Sequence, residues 1–188
     1  MVLALTLVAL LQVAALPQEL APGTRYDPSI PTLEEVVGHD FGEEITPPDA
    51  VVRYMQALHE AAPDRTRLLH YARSWEGRPL VLMVIGTPER IEGLDSLKAD
   101  LHRLNDPRGL SDADAEELLS RLPVVTMVMH AIHGNEATGT GAAMAEAYHL
   151  LAARGDPDVD LIFRESLVLI EPMENPDGRN RFVYEDVI

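Results

Sequence analysis

Val124 to Glu136 reads VVTMVMHAIHGNE. Its first six residues are apolar except for Thr126 and rich in β-branched side chains. Pro123 bounds them on one side and a turn at Gly134-Asn135 on the other, the pattern of a short strand covered on both faces. Glu136 to Ala153 follows as an Ala-rich helix, closed by Arg154-Gly155 with Pro157 just beyond. Strand, turn and helix are thus laid out in one stretch, and the rest of the chain repeats the theme. Leu80 to Ile85 (LVLMVI) and Leu167 to Ile170 (LVLI) are two further buried-type strands. Thr66 to Ser74 is a strand joined to the first of these by a hairpin loop at Trp75-Glu76-Gly77-Arg78. A helix is expected from Pro48-Asp49, with Val51, Val52, Met55, Leu58 and Ala62 at helical spacing. A polar helical region around Ile91 to Leu104 and a Ser111-capped helix through Leu122 complete the helices. Apolar strands alternating with helices predict an α/β domain with a mixed, mostly buried sheet flanked by helices.

Open sheets of this kind bind ligands beyond the carboxyl ends of their strands. Two unusual loops fall there. In His133-Gly134-Asn135-Glu136, an imidazole and a carboxylate three residues apart at a helix mouth can face one cation. Composition alone yields about 0.6 chance matches to this pattern, and a surface His beside a helix N-terminus that favours Glu136 is the plainer explanation. Placement at the ligand edge favours the metal. In Asn175-Pro176-Asp177-Gly178-Arg179-Asn180-Arg181, Pro and Gly suit a tight turn. Asn175, Arg179 and Arg181 could also form a rim that brings guanidinium groups to an anionic substrate. His130 is read as a packed, hydrogen-bonded strand-end residue, His149 as structural, and Gly139 and Gly141 as allowing close helix packing.

The 188 residues carry 15 Lys and Arg against 31 Asp and Glu, a net charge of −16. That acidity argues against nucleic acid as a partner. There are no cysteines, so thiol nucleophiles, disulfides and Cys-ligated zinc are excluded, and any metal falls to His, Asp or Glu. Hydrophobic residues are 46% of the chain, enough for a core. Met1 to Ala15 is an apolar run, shorter than the roughly 20 residues a membrane span needs. With small residues before Pro17 it reads as a secretory signal over 1–16, although no Lys or Arg precedes it. Stable membrane insertion is not expected. Pro17 to Pro47 is expected to be an extended lead-in to a domain beginning at Pro48.

Taken together, the buried strand, H-G-N-E, Ala-rich helix, next strand and N-P-D-G turn resemble the carboxypeptidase A-like zinc metallocarboxypeptidases. Ser74-Trp75-Glu76-Gly77-Arg78 is similar to that family's early S-x-E-G-R hairpin. The likeness runs from about Pro48 to Arg181. It implies zinc as cofactor, held by His133 and Glu136 as the first two ligands. It implies peptide or protein substrates cleaved at the C-terminal bond by a zinc-activated water. An oxyanion-stabilising arginine follows the N-P-D-G turn in the family; Arg181 stands at a shorter spacing. The third ligand, the general base and the residues binding the terminal carboxylate lie further on in the family, so 48–188 resembles the N-terminal portion of a catalytic domain. A secreted or periplasmic location is expected. Alternatives are an aspartoacylase- or succinylglutamate desuccinylase-like zinc deacylase, which shares H-G-N-E, and a zinc-free binding module that has lost catalysis.

Overall fold

The structure is a computed structural model that describes residues 20–184. The N-terminal apolar run expected to be a signal lies outside the described residues. In chain order the elements are β1 (Arg25–Tyr26), α1 (Leu33–Val37), α2 (Pro48–Ala61), β2 (Thr66–Arg73), β3 (Pro79–Ile85), α3 (Pro88–Glu92), α4 (Leu94–Asn105), α5 (Asp112–Arg121), β4 (Val124–Met129), α6 (Ala137–Ala152), β5 (Ala153–Arg154), α7 (Pro157–Glu165), β6 (Ser166–Glu171) and α8 (Pro176–Tyr184).

The main sheet has the order β2-β3-β6-β4. β2, β3 and β6 are antiparallel neighbours, while β6 and β4 run parallel. The sheet is therefore mixed, as the hairpin predicts. Alternation along β3 and β6 sends Met83, Ile85, Val168 and Ile170 into the principal core. There they meet Val51, Tyr54, Met55 and Leu58 of α2 and Met144, Ala147 and Leu151 of α6. Val84 and Leu167 point the other way, against Ile91 of α3 and Leu94 and Leu97 of α4.

Three expectations are corrected, and one further helix is found. β4 is a strand as read, but it is not covered on both faces: Val124 is 63% and Met129 59% exposed. It stands at the end of the sheet and pairs with β6 alone among the described residues; apolar composition does not tell an edge strand from a central one. The 17–47 lead-in is more than extended chain. Thr32 and Glu35 form a reciprocal capping box on α1, and Ile30 and Leu33 are buried in the core. β1 pairs with β5, and Arg154 bonds Asp27 at 2.5 Å. α7 was not anticipated, although Asp156 accepts from the backbone N–H of Asp158 and Val159 as its cap and Pro157 opens it. Finally, the turn-rich segment after β6 becomes a helix, α8.

Candidate metal centre

Because β4 and β6 are parallel, with Met129 opposite Glu171, both chains leave the sheet at one edge. Pairing continues past the strands. The His130 N–H donates to the Glu171 carbonyl at 3.0 Å, Glu174 N–H to the His130 carbonyl at 3.0 Å, and Asn175 N–H to the Ala131 carbonyl at 3.2 Å. Ala131 takes a φ of 54°, a left-handed conformation costly for a residue with a Cβ. The two loops singled out in the sequence therefore run side by side.

Their turns are packed together at glycine. A Cβ on Gly134 would lie 2.7 Å from Gly178 Cα, and closer still to the Gly178 carbonyl carbon and the Arg179 nitrogen. On the other side of this contact, Glu136 N–H bonds the His133 carbonyl at 3.1 Å. His133 Nδ1 and Glu136 Oε1 come within 3.0 Å of each other, with 70% and 58% of their side chains exposed. They converge on one point, open to solvent, at the edge of the sheet where β4 and β6 end. Imidazole and carboxylate suit zinc, so this pair fits two positions of a metal's shell. Among the described residues no group of three or more His, Asp or Glu side chains could hold a metal.

The N-P-D-G segment has a different construction from the rim loop expected. Asn175 Oδ1 accepts from Gly178 N–H at 2.8 Å, which caps α8, with Pro176 as its first residue. Its amide nitrogen donates to the Ile132 carbonyl at 3.4 Å. Asp177 turns toward the β2–β3 hairpin and accepts from Ser74 Oγ at 2.7 Å, Glu76 N–H at 3.0 Å and Arg78 Nη1 at 2.7 Å. Burial works against its charge, but the Ser74, Arg78 and Glu76 bonds prevail and hold the carboxyl below its usual range. Arg78 and then Arg181 lower Glu76 in the same way. Ser74, Glu76 and Arg78 are the S-x-E-G-R residues, so that hairpin and the N-P-D-G turn form one clamp. Arg181, more than half exposed, pairs with Glu76.

Arg179 is not on the rim. It is 1% exposed, and its Nε donates to the Thr46 carbonyl at 2.8 Å. The sequence reading missed this tie to the lead-in, as it missed Asp177. Asn-Pro-Asp is a helix-start signal that could have placed Asp177 in a first turn; nothing local marks Arg179 for burial. His130 is packed as read, 3.7 Å from Glu146, but it is not hydrogen-bonded as expected: its buried Nδ1 has no partner among the described residues.

A family description, zinc carboxypeptidase, matches residues 51–187. Among solved structures, carboxypeptidase A from Helicoverpa armigera is similar at a TM-score of 0.53 and 20% identity, over 80% of this chain and 28% of that one. Thrombin activatable fibrinolysis inhibitor is similar at 0.53 and 14% identity, over 77% and 29%. At these identities the likeness is one of fold, and this chain spans less than a third of either structure's length. No curated protein matches.

Proposed function

The chain belongs to the zinc carboxypeptidase family, and from that premise we propose that it serves a zinc-dependent metallocarboxypeptidase that hydrolyses C-terminal peptide bonds. The observation that carries this reading is the His133–Glu136 pair, 3.0 Å apart at the sheet edge where β4 and β6 both end. His133 and Glu136 would hold the zinc. When bound, zinc supplies Lewis acidity toward the scissile carbonyl and a water acidic enough to attack it. This chain's residues prepare that site. The Gly134–Gly178 contact fixes the turn between the two ligands, and the Asp177 clamp fixes the turn beneath it.

Arg181 is the proposed oxyanion contact, a role taken from the family resemblance; it lies in α8, more than half exposed, with its guanidinium paired to Glu76. Asn175 and Arg179 shape the substrate side of the site through the turn and helix start they hold. A third ligand is proposed to complete the site, since among the described residues no group of three metal-ligating side chains supplies one. Substrates are peptides or proteins, and the acidic chain disfavours nucleic acid. No helix among the described residues is long and apolar enough to cross a membrane, and a secreted or periplasmic site of action is proposed from the N-terminal run.

The test sets a blocked dipeptide against an N-acylated amino acid, with the full-length protein and stoichiometric zinc. Zinc-dependent release of the C-terminal residue from the dipeptide supports the peptidase. Cleavage of the acylated amino acid alone shows a deacylase. No zinc uptake and no hydrolysis of either shows a zinc-free binding module.

A further inference from the structure

Between the N-terminal half of α6 and the loop ahead of α2 lies a cavity of about 500 Å³, lined by Phe41, Ile45, Ala137, Thr138, Gly141 and Arg179 among others. Arg179 is the unusual member. Its guanidinium is buried, and its partners are two backbone carbonyls, Thr46 at 2.8 Å and Ala137 at 3.4 Å. Among the described residues no carboxylate pairs with it and no acceptor takes Nη2. Burial pushes its pKa down to about 10, and no neighbouring charge counters that. Buried charges are ordinarily paired, because an uncompensated one is costly.

A second observation points the same way. α6 is a 16-residue helix whose cap, Glu136, makes no side-chain bond to its first turn. Its leading N–H groups have no intrahelical acceptor, and this end of the helix carries partial positive charge. Ala137 and Thr138 of that first turn line the cavity. Of the two acidic residues at the wall, Glu43 is committed to its own loop, accepting from Asp40 N–H at 2.8 Å. Glu44 is exposed.

We propose that this cavity binds a small organic carboxylate, with Arg179 gripping the carboxylate and the wall of Phe41, Ile45 and Met144 covering its hydrocarbon body. The guanidinium fork matches a planar carboxylate. One cation in an acidic protein suits a monoanion better than a phosphate dianion. The inference stands on the cavity and does not depend on zinc.

Gly141 provides the test. It lines the cavity, and a Cβ there meets nothing within 4 Å. Gly141→Leu should therefore fill the space while leaving the packing intact, and leucine favours a helix. Hexanoate, hexanamide and inorganic phosphate are titrated into the metal-free full chain, so that zinc cannot supply a carboxylate site. Hexanoate should bind at least about tenfold more tightly than the other two. Gly141→Leu should cut its affinity at least about tenfold with no loss of melting temperature. Arg179→Met should also abolish binding, and the Gly141 variant decides if that protein does not fold. No hexanoate binding, equal binding of hexanamide or phosphate, or unchanged affinity in Gly141→Leu would each overturn the proposal.

Discussion

Gly134 and Gly178 meet backbone to backbone. A Cβ on Gly134 would lie 2.7 Å from Gly178 Cα, with the Arg179 nitrogen nearer still. H-G-N-E and N-P-D-G, more than 40 residues apart, are therefore two halves of one packed joint. The Gly in the first exists because the second passes directly over it.

Gly134→Ala should be severely disruptive, because both sides of the clash are main chain and neither can rotate away. We expect a loss at or above the roughly 1–3 kcal/mol of ordinary overpacking, together with weakened zinc binding. Gly141→Ala is the matched control: its new Cβ meets open space, and helix propensity should raise stability by about 0.8–1.0 kcal/mol. Thermal melts of the two variants side by side check the pair. Equal stability would remove the packed joint from the explanation.

Asp177 carries the clamp between hairpin and α8. Its folded-state pKa lies below the ordinary 3.8, so it contributes stability that is present above that value and is lost as pH falls through the folded pKa. Asp27 behaves alike: bonds from Ser29 and Arg154 hold it at about 2. Asp177→Asn should cost about 1.5–3 kcal/mol near neutrality, the range for a hydrogen bond to a charged group, and less below about pH 4. Denaturant melts from pH 7 to pH 3 measure it. A constant difference across that range would contradict the assignment.

Asn175→Ala removes the acceptor for Gly178 N–H. A lost cap typically costs about 1 kcal/mol. Amides at the start of α8 should exchange faster with solvent while those of β6 are unchanged, as hydrogen exchange would reveal.

β4 presents Val125, Met127 and Met129 to solvent on one face, 38%, 48% and 59% exposed. An apolar strand edge is a template for association. The 188-residue chain expressed alone should bind an apolar dye and self-associate, and Val125→Lys with Met127→Lys should reduce both. Light scattering that finds a monomer in both proteins would refute this.

Much of the architecture was legible because hydrophobic runs, helix starts and Gly or Pro stops are local. α2 begins at Pro48 and α5 after Ser111, where their signals stand. The exposure of β4 was not legible, since neighbours in a sheet are a long-range property. α8 was hidden because Asn-Pro-Asp-Gly serves a turn and a helix start equally well. At the site, the His133–Glu136 spacing was readable, and the structure brings the pair together. What the spacing could not give is the Asp177 clamp, which joins residues about a hundred positions apart, or the burial of Arg179. Gly141, read as a packing glycine, instead faces a cavity.

Zinc titration of the metal-free full-length protein, compared with His133→Ala and Glu136→Gln, tests most directly whether this pair is the heart of a metal site. Wild type should take up one zinc tightly. Each variant should lose at least about 100-fold in affinity, since even a residue behind a metal ligand can cost that much. Either variant binding zinc as tightly as wild type would contradict the assignment.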